Sequence, residues 1–163
     1  MAFSSDDMHL LTCSRDRQWC LFKRESMESL SFSLVKKEKD AHSRIIWGIS
    51  WSHDDQLFAT CSREKQKAVK VWHAPTSEGQ DVGTLHSELP ANAASASTAI
   101  SFFPNLVNEA YHLMVGLESG ALMVWRLTDD TKSWTKLIDV ASYYAHTLSV
   151  KRIRFNLRFS EPE

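Results

Sequence analysis

Residues 40–72, DAHSRIIWGISWSHDDQLFATCSREKQKAVKVW, decide the fold. Their apolar side chains fall in three short runs, 45–51, 57–61 and 68–72, and polar turn segments separate these runs. Apolar runs of this length between turns predict β-strands, and the apolar–polar alternation of the last run is typical of a half-buried strand. The stretch therefore predicts three consecutive strands of one sheet.

Four side chains stand at set positions around these strands: His42 before the first, Thr60 in the second, Glu64 in the following turn and Trp72 at the end of the third. Polar groups buried between sheets must be paired. The Trp72 indole can donate to Thr60, and Thr60 can donate to one ring nitrogen of His42. Glu64 would accept from the other ring nitrogen. This combination is typical of a WD40 repeat, which forms a four-stranded blade of a β-propeller.

The same pattern recurs before and after this repeat. Residues equivalent to members of the polar set are Thr12, Asp16, Phe22, Trp125 and His146. Phe22, Trp72 and Trp125 recur at intervals of roughly 50 residues, longer than the usual WD40 period of about 40–45, so the blades carry long loops. Phe22 has no hydrogen-bond donor, which predicts a weaker polar set in its blade.

We divide the chain into a partial blade at 1–35, complete blades at 42–87 and 97–141, and the first strand of another blade at 146–157. Residues 88–96 are small and polar and are predicted to form a flexible loop. A closed propeller needs at least about four blades. The sequence therefore predicts an all-β WD40 β-propeller arc, with two complete four-stranded blades and parts of the two flanking ones in an incomplete ring. We expect a truncated part of a larger ring.

Composition excludes several classes of protein. The chain has 163 residues and an apolar fraction of 43%, values that suit one globular domain. Its formal net charge of −1 gives no overall electrostatic attraction to nucleic acid or membranes. Three cysteines without CxxC spacing and without a signal peptide indicate a reducing compartment. No apolar run approaches the roughly 20 residues that span a bilayer. We therefore predict a cytoplasmic protein that can also be present in the nucleus.

Five stretches resemble, in order, the late repeats of the Elongator complex subunit 2 family, which are WD40 double propellers. The stretches are LLTCSRDRQWCLFKR, AHSRIIWGISWS, FATCSREKQKAVKVW, LMVGLESGALMVWRL and AHTLSVKRIRF. SRDR-x-W and HSRIIW are more specific than a general WD40 pattern. The resemblance implies the C-terminal part of the second propeller.

For function, the resemblance implies a non-catalytic scaffold in a complex that adds a carboxymethyl-type group to the wobble uridine of certain tRNAs. The implied partners are the catalytic radical-SAM and acetyltransferase-like subunit and the large scaffold subunit, with indirect contact to tRNA and no membrane. A general WD40 interaction module is the alternative.

Arginines are predicted to gather on one rim of the arc, because the turn between second and third strands opens on the same side as the loop before the first strand. This set, called the arginine rim below, consists of Arg15, Arg17, Arg44 and Arg63. Guanidinium groups in such a cluster can bind an acidic protein surface or phosphate, including tRNA. Alternatively, they pair with Asp16, Glu64 and Asp40 and have no partner outside the chain.

Two other features have a functional and a structural interpretation. Lys151, Arg152 and Arg154 form a second basic run, which can bind anions or can consist of exposed positions on a strand. Trp47, Trp51 and Trp134 can stack on bases, although their place on strands favours core packing.

Catalysis is not predicted. Ser14, Asp16 and His42 are the residue types of a hydrolase triad, but no nucleophile elbow accompanies them. The histidines lie in separate turns without the spacing of metal ligands, and no glycine-rich phosphate loop is present. We therefore expect no cofactor and no metal. A protein–protein scaffold and a polyanion-binding surface remain as interpretations. Salt dependence distinguishes them, because phosphate binding weakens steeply with salt whereas an apolar interface does not.

Overall fold

The computed structural model describes residues 1–75, 81–90, 95–128 and 132–155, and every regular element in these ranges is a β-strand. The strands are β1 (Ala2–Phe3), β2 (His9–Cys13), β3 (Trp19–Arg24), β4 (Phe32–Glu38), β5 (Ile46–Trp51), β6 (Leu57–Ser62), β7 (Val69–His73), β8 (Leu85–Glu88), β9 (Ser97–Phe102), β10 (His112–Leu117), β11 (Leu122–Thr128) and β12 (Ser133–Val140).

In the described part of the chain these strands form three antiparallel sheets, and the strand order in each follows the sequence: β1–β4, β5–β8 and β9–β12. The sheets are called the first, second and third below. The first sheet, predicted as a partial blade, has four strands, although β1 contributes only two residues. The described sheets do not close into a ring, so the prediction of an all-β, open propeller arc is confirmed.

Similar turns join the first two strands of the first and second sheets. Each contains a serine two residues before an aspartate, in SSDD at 4–7 and SHDD at 52–55. In both turns the serine hydroxyl donates to that aspartate, at 2.6 Å in one and 2.7 Å in the other. The residue after that aspartate has a positive φ in each turn, which Asp tolerates better than most residues. Local sequence thus determines both hairpins.

Apolar side chains between neighbouring sheets form the core. Between the first and second sheets, Trp19 is fully buried, with ring centroids 5.0 Å from Phe58 and 5.5 Å from Trp72. Between the second and third sheets, the core contains mainly aliphatic side chains of β6, β7, β10 and β11, together with Trp125 of β11, Trp134 of β12 and Phe102 of β9. Packing between blades therefore positions the loops at their rims.

The predicted first strand of a further blade, at 146–157, is not a strand in its described part, 146–155. Val150 donates its N–H to the Leu117 carbonyl at 3.1 Å, and the Thr98 hydroxyl donates to the Val150 carbonyl at 2.8 Å. A strand needs a neighbour that pairs along its length. Among the described residues none does so, and the segment contacts the third sheet near Val150. Residues 156–157 lie outside the described ranges.

The predicted flexible loop 88–96 was wrong at its beginning. Glu88 is the last residue of β8 and lies opposite Lys70, and Leu89 is buried and donates its N–H to the Val69 carbonyl at 3.0 Å. Burial of the Leu89 side chain between two sheets holds this part of the segment in place. Residues 91–94 lie outside the described part of the chain.

Candidate interaction surface

One rim of the arc is assembled from turns and links of different sheets. Glu64, in the β6–β7 turn, accepts a hydrogen bond from the backbone N–H of Ser43, in the link between β4 and β5. Arg63, in the same turn, is ion-paired with Glu118, in the β10–β11 turn. The second-to-third strand turns and the links between sheets therefore lie on the same side of the arc.

A buried hydrogen-bonded set lies beneath this rim. The Trp72 indole Nε1–H donates to Thr60 Oγ1 at 2.9 Å, and Thr60 Oγ1 lies 2.8 Å from His42 Nε2. Thr60 Oγ1 accepts from Trp72 and keeps its hydroxyl hydrogen for a further acceptor, and the direction of its bond with His42 Nε2 depends on the imidazole tautomer. Thr60 is fully buried and His42 is 3% exposed. This chain of hydrogen bonds ties the 41–45 loop to β6 and β7.

The fourth predicted contact of the set is replaced by another. Glu64 Oε1 lies 3.5 Å from His42 Nδ1, and this ring nitrogen has no hydrogen-bond partner. Glu64 instead accepts hydrogen bonds from the backbone N–H of Ser43 and, at 3.3 Å, from that of Arg44. Burial lowers the pKa of His42 to about 4, although the Glu64 charge acts in the opposite direction. His42 is thus neutral near pH 7 and makes no ion pair. Glu64 holds the loop that carries Arg44.

Burial acts to raise the pKa of Glu64, but the hydrogen bonds from Ser43 and the proximity of His42 outweigh it, so that the pKa is lowered. The carboxylate is therefore charged near neutral pH. A charged acceptor strengthens hydrogen bonds to backbone N–H groups. The longer Glu side chain, at a position where the repeat usually has Asp, reaches the backbone of the loop rather than the imidazole.

The equivalent residues in the other sheets make different contacts. The Thr12 hydroxyl donates to the Cys20 carbonyl at 3.5 Å, and Asp16 accepts from the backbone N–H of Gln18 at 3.1 Å. Trp125 is buried in the core between the second and third sheets, whereas His146 is exposed. Only the second sheet joins a His, a Thr and a Trp in one hydrogen-bonded chain within the described ranges.

Three members of the arginine rim, Arg15, Arg17 and Arg44, are exposed and form no ion pair within the part of the chain that the structure describes. Arg63 differs, because it is 36% exposed, pairs with Glu118 and lies 4.9 Å over the centroid of the Trp47 ring. The alternative pairings with Asp16, Glu64 and Asp40 are not formed. The rim thus carries cations available to an external anion.

A cavity of about 170 Å³ lies beside this rim, and sequence reasoning missed it. Trp47, predicted as core, is 41% exposed and lines the cavity, whereas Trp51 and Trp134 are buried as predicted. The second basic run reaches the same place, with Lys151 Nζ 5.7 Å over the Trp47 ring centroid. The full lining is Met1, Cys13, Trp47, Gly48, Ile49, Ala99, Ile100, Lys151, Arg152, Ile153 and Arg154.

A metal site would need a cluster of ligating side chains among the described residues. In these ranges no group of three or more His, Cys, Asp or Glu side chains is placed to hold a metal ion. The same ranges contain no helix with the length and apolarity needed to cross a membrane. Arginines, an exposed indole and a basic cavity are therefore the features that suggest binding.

Comparison with known proteins gives a consistent result for the fold. The WD40 family (WD domain, G-beta repeat) matches residues 1–23 and 33–73. A chain of the solved structure named "Crystal Structure of Mitotic Checkpoint Complex" superimposes with a TM-score of 0.68 at 19% identity, and the match covers 93% of this chain and 40% of that one. At this identity the likeness shows the fold alone.

Sequence relatives are more specific. Elongator complex protein 2 of Danio rerio is 35% identical over 176 residues, which cover 97% of this chain and 21% of that protein. The protein of the same name from Rattus norvegicus is 37% identical over 172 residues, covering 94% and 20%, respectively. That of Homo sapiens is 35% identical over 170 residues, again covering 94% and 20%. The chain thus spans about a fifth of the length of these relatives.

Proposed function

We infer that the chain belongs to the Elongator complex protein 2 family, and we propose that it acts as a non-catalytic WD40 scaffold in an Elongator complex. The observation that carries this proposal is the match over 94–97% of the chain to proteins named for that complex. By the resemblance, the scaffold supports carboxymethyl-type modification of the tRNA wobble uridine and works in the cytoplasm or the nucleus.

The arginine rim is the surface proposed to contact another subunit. Arg15, Arg17 and Arg44 are exposed and lack ion pairs in the described part of the chain. Arg44 projects from the loop that Glu64 holds, and Arg15 and Arg17 project from the β2–β3 turn, in which Asp16 accepts a hydrogen bond from the backbone N–H of Gln18. Arg is well suited to such a role, because its planar guanidinium binds carboxylates in a bidentate manner. The proposed partner surface is therefore acidic and belongs to the catalytic or the large scaffold subunit.

A pull-down against the other Elongator subunits tests the proposal. The parent chain is compared with an Arg15→Ala/Arg17→Ala/Arg44→Ala variant, and capture is expected for the parent and at least about tenfold reduced for the variant. A matched control removes three cations from other exposed positions, Lys23, Lys37 and Lys132, and is expected to be captured like the parent. Near-UV circular dichroism verifies that each variant is folded.

The outcomes separate two parts of the proposal. Loss of capture in the arginine variant alone supports both the scaffold role and the rim. Equal capture of all three chains retains the scaffold role but moves the interface away from the rim. If the folded parent captures no subunit, the scaffold role proposed for this chain is wrong.

Direct binding of tRNA or another polyanion is the second candidate, and the exposed arginines without ion pairs are the observation that favours it. Binding of tRNA through these arginines would weaken steeply as salt is raised from about 50 to 200 mM, since each neutralised phosphate releases counterions. Electrophoretic mobility shift with tRNA, over that range and with the same two variants, distinguishes this candidate from a protein interface.

A further inference from the structure

The cavity beside Trp47 combines three cationic side chains with an apolar wall. Lys151, Arg152 and Arg154 line it, and no lining residue is acidic. All three cations are exposed and form no ion pair among the described residues. In a chain with a net charge of −1, this is a local excess of positive charge. Such an arrangement favours an anionic ligand.

Trp47 helps to position Lys151, one of these three cations. Lys151 Nζ lies 5.7 Å and the Arg63 guanidinium 4.9 Å from the centroid of its ring, both within the range of cation–π attraction. Glu118 neutralises Arg63 on the side of the third sheet. Lys151 has no such partner in the described ranges, so its charge remains available while the indole restricts its position.

The size of the cavity limits the ligand. A volume of about 170 Å³ is below the roughly 300–1,000 Å³ of pockets that enclose drug-sized molecules. It accommodates a phosphate group on a short side chain rather than a complete nucleotide. Phosphate is also the anion for which a group of Arg and Lys side chains is best suited, because its oxygens accept several charge-assisted hydrogen bonds.

The surroundings favour a peptide over RNA as the source of that phosphate. Binding of single strands uses aromatic faces on which bases stack, along a continuous basic groove. Here two cations lie over the Trp47 ring, and the neighbouring wall is apolar, formed by Ile49, Ala99 and Ile100. An apolar wall next to a basic group suits a peptide that inserts one phosphorylated residue.

We propose that this cavity binds a phosphorylated serine or threonine side chain of a partner protein, held by Lys151, Arg152 and Arg154 beside Trp47. The site does not include Arg15, Arg17 or Arg44 of the arginine rim, so this proposal can be tested independently of the scaffold proposal. It would make docking of that partner dependent on a kinase.

The test follows the indole N–H resonances of the whole chain by nuclear magnetic resonance, with the Trp47 signal assigned by its absence in Trp47→Phe. The peptide Gly-Gly-phosphoserine-Gly-Gly is expected to shift this signal saturably, whereas the unphosphorylated peptide leaves it unchanged at equal ionic strength. In a Lys151→Ala/Arg152→Ala variant the apparent Kd is expected to rise at least about tenfold, given the strength of hydrogen bonds between charged groups.

Two controls make the result decisive. A Lys23→Ala/Lys37→Ala variant removes the same charge elsewhere and is expected to bind like the parent, and an unchanged Trp72 signal shows that the core is intact. A response to both peptides, or none to either, would overturn the proposal. So would binding of decauridylate at least about tenfold tighter than the phosphopeptide at equal phosphate concentration, which would identify a nucleic-acid site.

Discussion

Thr60 in the second sheet and Val115 in the third occupy equivalent positions. Trp72 lies opposite Phe58 of β6, and Thr60 follows Phe58 by two residues. Trp125 lies opposite Leu113 of β10, and Val115 follows Leu113 by two residues. Both are buried, at 0% and 2% exposure. Thr60 joins its tryptophan to His42, whereas Val115 has no hydroxyl and packs in the apolar core. The same strand register thus accommodates a hydrogen-bonded threonine in one sheet and an apolar valine in the other.

The two sheets also hold their neighbouring loops differently. The 41–45 loop of the second sheet is held by side chains, His42 through Thr60 and Glu64 through backbone N–H groups. At the third sheet, Gly120 has a φ of +93°, and a Cβ there would lie 1.9 Å from the His146 carbonyl oxygen. Close backbone approach at a glycine therefore replaces hydrogen-bonding side chains.

The largest expected effect comes from removing the Thr60 hydroxyl. Thr60→Val keeps the shape but leaves the Trp72 indole and the His42 ring without their partner, which is expected to reduce the free energy of unfolding by about 3 kcal/mol. Urea unfolding, followed by tryptophan fluorescence, measures the change. A loss below about 1 kcal/mol would show that the polar set contributes little to the second sheet.

The reverse exchange is the matched control. Val115→Thr places a hydroxyl at the same register in the third sheet, among apolar side chains, and is expected to reduce the free energy of unfolding by about 1–2 kcal/mol. If Val115→Thr instead stabilised the protein, the third sheet would already contain an acceptor for that hydroxyl, and the contrast between the sheets would be wrong.

This contrast explains what the sequence predicts well. His42, Thr60 and Trp72 are polar or indole-bearing residues at positions where the strands must be buried, so their pairing follows from the need to satisfy buried groups. The role of Glu64 was less predictable, because a carboxylate can accept from an imidazole or from the backbone. Which one it reaches depends on the length of its side chain and the shape of the 41–45 loop.

Features that depend on contacts between distant segments were beyond the sequence. The strand β8 begins at Leu85, just after the chain turns at Gly83, which has a φ of +68° and lies against the Trp19 ring. Likewise, Lys151 is not part of the expected strand, and its Nζ lies over the Trp47 ring, where both residues line the cavity. Neither contact has a local pattern that could reveal it.

A smaller effect is expected from pH. Burial lowers the pKa of His42 from an unfolded value of about 6.5 to about 4, so the unfolded state takes up a proton first as the pH falls. Stability from the neutral imidazole is complete above pH 6.5 and is lost progressively as the pH falls towards 4. Between pH 7 and pH 5 the loss from His42 is about 2 kcal/mol.

His42→Gln tests that assignment. The variant is less stable at pH 7, but its further loss between pH 7 and pH 5, measured by urea unfolding, is expected to be about 2 kcal/mol smaller than in the parent. Some dependence on pH remains, because burial and the neighbouring His73 lower the pKa of His86 to about 4 as well. Equal losses in both proteins would mean that His42 is not the group that makes the second sheet sensitive to acid.

The smallest effect concerns the ion pair that joins the two sheets at the rim. Arg63 and Glu118 are 36% and 46% exposed, so solvent screens their attraction. In a double-mutant cycle of Arg63→Ala and Glu118→Ala, we expect a coupling energy of about 0.2–1 kcal/mol that decreases in about 0.5 M salt.

Lys136 and Asp139, an exposed pair on β12, provide the control and are expected to show a coupling of the same small size. The apolar core between the second and third sheets, rather than a polar contact at its edge, then accounts for their cohesion. A coupling above about 2 kcal/mol for Arg63 and Glu118, unaffected by salt, would contradict this. The pair would then be desolvated. Charge, as well as hydrogen bonds, would stabilise the rim of the second sheet, whereas close packing does so at the third.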